Sequence, residues 1–441
     1  MEGAMLSILI IAAIAVAVFL GYKTKINTGL FCIVFAYIIG CLFMGLKPKT
    51  LIGYWPTNTM FVILGVSLFY NVAAANGTLE KISRSLLYAC RKFPGMLPYA
   101  LFFVAVILSV MGAAYFTVLA FLAPITLMIC EDAKMDKLTG AVAINCGALA
   151  GGDFPTAALG VVFRGLMDTA YESTPDLTPI DSFSSTLTMF ALAVIFSLIL
   201  ITVFRFAVKQ NRNIGKGITF EKPEAYTEKQ QKTLKLILIM MAVVLVFPLL
   251  KMFMPGVKFI SNIAGKIDVG LVAVIFAVIA LLMDLAPQKE IIAKVPWNTI
   301  IMIAGAGMLI AVAVEAGTIK MLSNWIGANV PPALIPIAFS IVAAFMSFFS
   351  STTGVVTPAL FPLIPALAAT AGINPAVLFT CTVLGAQSSA ISPFSSGGSL
   401  ILGGCSNEEQ RNQLFNRLMF VAVPTSICLC AVYNMVVSFI L

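Results

Sequence analysis

Asn145-Cys-Gly-Ala-Leu-Ala-Gly-Gly-Asp-Phe-Pro-Thr156 and Leu384-Gly-Ala-Gln-Ser-Ser-Ala-Ile-Ser-Pro-Phe-Ser-Ser-Gly-Gly-Ser399 are the two stretches on which the fold turns. Each lies within an apolar run, 138–170 and 374–402, and places glycines and a proline at its middle. A proline inside a helix removes a donor and frees a carbonyl one turn earlier. In a bilayer such groups cost several kcal/mol each unless they meet protein, water or a ligand. Both runs therefore read as helices broken at the membrane midplane. Pro155 and Pro393 are related by an offset of 238, which also pairs Ser109 with Ser347, Pro124 with Pro362, Gly147 with Gly385 and Ala148 with Ala386. Upstream, residues 57–83 align with 297–323 at an offset of 240 without a gap, and nine of 27 positions are identical. Asn58/Asn298, Thr59/Thr299, Gly65/Gly305, Gly77/Gly317, Thr78/Thr318 and Ser83/Ser323 are among them. The chain is thus an internal duplication.

Composition sets the medium. Of 441 residues, 60% are hydrophobic and 10% charged, with a mean hydropathy of +1.02. Soluble domains run about half apolar and about a quarter charged. A soluble enzyme, a nucleic-acid binder and a disordered chain are excluded, and an all-α polytopic membrane protein is expected. The chain has no histidine, which removes imidazole relays and most zinc chemistry. Its nine cysteines include no CxxC and read as small buried hydrophobes. The first apolar stretch lacks a basic lead-in and is expected to be a retained span.

Spans are predicted near 5–21, 26–46, 57–76, 138–170, 184–204, 235–254, 267–286, 297–316, 374–402 and 413–440. Two further stretches, 95–130 and 332–370, are interrupted by Gly112-Ala113-Ala114 and by Ser350-Ser351-Thr352-Thr353-Gly354. Both read as re-entrant hairpins rather than pairs of short spans, giving about ten spans and two hairpins. The organisation is then a first repeat over 1–204, a basic linker over 205–234 and a second repeat over 235–441. Alternating the spans places 20 of the 27 Lys and Arg on one side, including the eight between Arg205 and Lys235. The positive-inside rule makes that side cytoplasmic. Both termini then lie outside the plasma (inner) membrane, and the repeats are inverted.

An inverted repeat with broken helices points to a secondary transporter. The half-helix N-termini after each break offer donors and positive dipole to an anion, while freed carbonyls and hydroxyls suit a small cation. No Lys or Arg lies in a break, so cations are expected to balance an anionic substrate. The substrate is expected at Ser350, Ser351, Thr352, Thr353, Ser392, Ser395, Ser396, Gly112, Ala113, Asn145 and Thr156. The cation is expected at Asp153, Asn145, Gly151, Gly152, Ser388, Ser389 and Gly385. Asp153 is the one acid in a break, and burying it costs roughly 2.5–3.5 kcal/mol on insertion scales. It has three readings: cation ligand, proton carrier, or ion-pair partner of Arg164. No catalytic cluster of paired acids or of a cysteine with a base occurs, so an enzyme is not expected.

Asn76-Gly-Thr-Leu-Glu-Lys, the N-terminal part through about residue 150, and Ile391-Ser-Pro-Phe-Ser-Ser-Gly-Gly-Ser-Leu resemble the MatC-type dicarboxylate (malonate) carriers. More distantly the layout resembles the divalent anion:sodium symporter family of the ion transporter superfamily. The resemblance implies a homodimer, a scaffold, a mobile domain moving by an elevator mechanism, and sodium-coupled dicarboxylate symport with no other cofactor. A cation/proton antiporter or a proton-coupled organic-anion carrier is the alternative within that superfamily. In the symporter family both tips carry Ser-Asn-Thr. Here Ser350-Ser351-Thr352-Thr353 is a partial match, and Gly112-Ala113-Ala114-Tyr115 is none.

Overall fold

The computed structural model describes residues 3–24, 26–55, 57–89, 96–207, 223–254, 257–264, 266–349, 352–405 and 407–440, and its regular elements there are all helical. Among the described residues, five segments are long and apolar enough to cross a bilayer unaided, Ser182–Phe206 and Glu228–Phe247 among them. Other apolar helices run 10–17 residues, and several of these stop at the breaks and tips that the sequence marks. Exposed apolar side chains such as Phe19, Val34, Ile195, Leu238, Ile275 and Phe439 form the outward surface that lipid would cover.

The duplication is borne out helix by helix. Thr57–Ala75 matches Trp297–Glu315, and Thr78–Ala89 matches Thr318–Asn329, each at an offset of 240. At 238, Leu97–Val110 matches Ile335–Phe349 and Lys137–Gly152 matches Pro375–Ser388. The starts of Ala158–Glu172 and Ser396–Gly403 match as well. Gly77 and Gly317 have φ of 74° and 73°, a left-handed turn that glycine adopts freely, and each opens the amphipathic helix that follows. Asp136 and Asn374, also matched, cap the two half-helices by accepting from the Thr139 and Ala376 amides at 3.2 and 3.0 Å.

The repeats interlock. Thr57–Ala75 of the first packs on Val269–Leu282 of the second, and Trp297–Glu315 packs on Thr28–Tyr37. Gly65 lies against the Gly270 carbonyl, and its counterpart Gly305 lies against the Gly29 carbonyl. Small residues at such crossings let backbones approach closely where water supplies no driving force. Within each repeat the half-helix packs on its own hairpin: Gly147 sits on the Phe102 carbonyl and Gly385 on the Ser340 carbonyl, again a matched pair. Beyond each break the chain crosses over. Ser396–Gly403 packs on the first hairpin's second arm, Tyr115–Asp132, while Ala158–Glu172 packs on the second hairpin around Phe361–Leu363.

Three boundaries differ from the sequence reading. The helix after the linker begins at Glu228, because a capping box between Thr227 and Gln230 starts it inside the stretch read as linker to 234. The last span begins at Glu408, runs through a π turn at Leu418–Ala422 and ends at Ile440. The second hairpin's return arm is not one helix: a π turn over Thr352–Val356 leads to the short pieces Thr357–Leu360, Phe361–Leu363 and Ile364–Ala371. Pro358, Pro362 and Pro365 each open one of those pieces, since proline fits a helix start but not its interior.

Candidate functional site: a cavity between the hairpin tips

A cavity of about 400 Å³ lies where the two repeats meet. Gly112, Ala113 and Tyr115 of the first tip line it, and so do Thr352 and Thr353 beyond the second. Its floor is made by the two breaks: Leu149 and Gln387 end the first half-helices, and Ala158 and Gly397 begin the second ones. Ser67, Tyr70 and Asn71 of the helix Thr57–Ala75 line it as well, as do Leu79, Lys294 and Pro296. The Lys294 ammonium is held by Glu290 at 2.7 Å.

The breaks hold opposite chemistry. Asp153 closes the first half-helix and is fully buried. Gln387 Nε2 donates to its Oδ1 at 2.7 Å, so the first repeat's acid is matched by the second repeat's amide. Its other oxygen, Oδ2, has no hydrogen-bond partner among the described residues, and neither has the buried hydroxyl of Thr156 three residues on. The Arg164 pairing considered from sequence is not formed. Arg164 reaches back to donate to the Pro155 carbonyl at 3.2 Å and lies over the Phe183 ring. Asn145 accepts from the Tyr115 hydroxyl at 2.7 Å, tying the half-helix to the tip. Ala157, before the helix Ala158–Glu172, has no side-chain acceptor, so that N-terminus keeps free N–H groups beside the cavity.

The second break is lined with hydroxyls that mostly serve the backbone. Ser388 donates to the Gly385 carbonyl and Ser389 to the Ala344 carbonyl, both at 2.7 Å. Ser392 is buried and accepts from the Phe394 amide. Ser395 lines the cavity, but its hydroxyl donates to the Ala390 carbonyl and caps Ser396–Gly403 by accepting from the Gly398 amide at 3.1 Å. Gly151 and Gly152 carry no polar side chain and pack on Val106 and Leu159. Thr352 shares a hydrogen bond with Ser347 at 3.1 Å. Ser350 and Ser351 lie outside the described residues, as does the side chain of Ser396.

The structure thus brings Gly112, Ala113, Thr352, Thr353 and Ser395 to one cavity and keeps Asn145, Asp153, Thr156 and Ser392 in the protein around it. Tyr70, Asn71, Tyr115 and Lys294 line the cavity too and were missed. A signal existed for two of them. At the matched positions the second repeat has Ile310 and Ala311, so Tyr70 and Asn71 are polar residues the duplicated helix does not need.

Residues 4–152 match the family model described as the dicarboxylate carrier protein MatC N-terminus. The match spans the helices before the first hairpin, that hairpin and the first half-helix, ending one residue before Asp153. Beyond this MatC-type region the likeness is one of fold. The YdaH transporter of Alcanivorax borkumensis superposes with a TM-score of 0.62 at 15% identity, covering 91% of this chain and 88% of that one. Neisseria gonorrhoeae MtrF, described with a class of antimetabolite efflux pumps, gives 0.62 at 14%, covering 92% and 84%. No curated protein sequence matches. The family model and both structures are described in terms of carriers, transporters or efflux pumps.

Proposed function

We propose that this chain is a secondary active carrier of a small organic dicarboxylate, coupled to sodium, in the plasma (inner) membrane. The observation that carries the reading is the cavity lined by both tips and both breaks, together with the buried Asp153 Oδ2 and Thr156 hydroxyl in the first break, which have no hydrogen-bond partner among the described residues. A dicarboxylate would meet the open N-terminus at Ala158 and the threonines of the second tip, where dipole and donors favour negative charge. A sodium ion would take hard oxygens. Asp153 Oδ2 and Thr156 Oγ1 fit that need, and the ion would offset the cost of the buried acid. Asn145, Gly151, Gly152, Gly385, Ser388 and Ser389 would serve by fixing the helices that hold these oxygens. Rigid crossings on glycine and a separate pair of hairpins with half-helices suit elevator-like movement of the latter against the former. A homodimer would give the scaffold a fixed base.

Uptake of radiolabelled C3–C6 carboxylates into proteoliposomes, with and without a sodium gradient, tests this reading. Sodium-dependent accumulation of a dicarboxylate is expected. Accumulation that follows a proton gradient and ignores sodium would assign the coupling to protons, and substrate-independent sodium/proton exchange would assign an antiporter. For orientation, a single cysteine at residue 176 is expected to react with an impermeant reagent from outside the cell, and labelling from the cytoplasm alone would refute the inverted layout.

A further inference from the structure

Tyr70 stands apart from the other cavity residues. It lies on the helix Thr57–Ala75, which the proposed elevator movement leaves in the scaffold, is 3% exposed, and presses its ring on Gly112 at the first tip. Gly112 has a φ of 96°, and any Cβ there would fall within the Tyr70 ring, so the tip can seat on the scaffold only as glycine. The ring also contacts Phe69, with centroids 5.3 Å apart. The hydroxyl has no such account. It is buried at the cavity wall without a hydrogen-bond partner among the described residues, although buried tyrosine hydroxyls ordinarily find one. Packing does not call for it either, because the matched residue in the second repeat is Ile310. Nearby donors are already engaged: Tyr115 with Asn145, Gln387 with Asp153, and Asn71 with the Ile291 carbonyl at 3.0 Å.

We propose that the Tyr70 hydroxyl is a scaffold-borne donor to a carboxylate of the bound anion, and that this contact exists only while the Gly112 tip is seated on the Tyr70 ring. The inference rests on the carrier reading and deepens it. A donor on the tip or half-helices would travel with the substrate. A donor on the scaffold is left behind when the tip moves. Tyr70 therefore favours binding in the conformation whose tip is seated on it, and so from whichever face that conformation admits the anion. It makes the two faces of the carrier unequal in affinity.

Tyr70→Phe keeps the ring on Gly112 and removes only the donor. In proteoliposomes of determined orientation, with radiolabelled malonate and succinate as probes, KM from one face should rise about tenfold, while KM from the opposite face stays unchanged. The substrate-free protein should melt at the same or a higher temperature, because removing an unpaired buried hydroxyl relieves its desolvation cost. Stabilisation by malonate should then require about tenfold more ligand. A merely structural hydroxyl would lower the substrate-free melting temperature and leave both KM values in place, which overturns the proposal. An equal rise in KM from both faces also overturns it, since it would place Tyr70 with the moving elements. If the unmodified protein transports neither probe nor any other C3–C6 carboxylate, the carrier reading fails and this inference falls with it.

Discussion

The two breaks occupy the same place in a duplicated fold and have diverged in opposite senses. At matched positions Asn145, Asp153 and Thr156 of the first stand against Val383, Ile391 and Phe394 of the second. Gln387, Ser388, Ser392 and Ser395 of the second stand against Leu149, Ala150, Phe154 and Ala157 of the first. The first break carries the acid and a helix N-terminus without a side-chain cap. The second carries hydroxyls that close its own carbonyls and cap its own helix. One polar set leaves oxygens without partners among the described residues, and the other makes the break self-sufficient. The Asp153–Gln387 bond joins the two breaks: the acid of one repeat is oriented by the amide of the other.

The largest test of this asymmetry is Asp153→Asn. It keeps size and an oxygen but removes the charge, so half-saturation by sodium should rise roughly ten- to a hundredfold, on the scale of about 1.5–3 kcal/mol for interactions with a charged group. Anion uptake should fall with it, and its pH dependence near neutrality should stay flat. Loss of pH dependence with sodium made irrelevant would mark Asp153 as a proton carrier instead. Adding Arg164→Gln should not recover what Asp153→Asn loses, because the two are not paired.

Gly65→Ala and Gly305→Ala probe what the repeats still share. A Cβ at either would overlap backbone of the opposing repeat, and overpacking of this kind costs about 1–3 kcal/mol. Both melting temperatures should fall together, whereas Gly53→Ala, with open space around it, should not lower stability through overpacking. Unequal losses at 65 and 305 would show that the crossings, like the breaks, have diverged.

Gln387→Leu installs the first repeat's residue in the second. It leaves Asp153 without its donor and should cost about 1–3 kcal/mol. Measured by melting, the loss should be smaller when Asp153 is already Asn, because an amide is the cheaper group to leave unpaired. The smallest effects belong at the caps. Asn374→Ala should cost about 1 kcal/mol. Asp136→Asn keeps the cap but loses the charge of a bidentate pair with Arg417, whose Nη2 lies 3.1 Å from Oδ2, and should cost less than Asn374→Ala.

Much of the architecture was legible because its signals are local. Pro155 and Pro393, Gly112, and the Gly77/Gly317 turns each force a backbone event where they stand, and the structure breaks or turns at every one. The site was less legible, because its pairings join residues far apart in sequence. Nothing near Asp153 names Gln387 as its partner, and the proximity of Arg164 in the chain pointed elsewhere. Clustered serines looked like ligand groups, yet a hydroxyl on a broken helix has carbonyls within reach and satisfies them first. Tyr70 and Asn71 were hidden inside an ordinary apolar span. Only the mismatch between repeats distinguishes them.

The reciprocal crossings on Gly29, Gly65, Gly270 and Gly305 also bear on synthesis. When the chain has been made as far as Ala207, the helix Thr57–Ala75 exists but the helix it packs on, ending at Leu282, does not. At about 5–20 residues per second the ribosome takes on the order of 4 to 15 s to supply it. Throughout that interval the first half must wait in the bilayer with a backbone-deep groove unfilled. Neither half is a self-contained folding unit, and a chain cut at the linker should yield two fragments that mature only when made together.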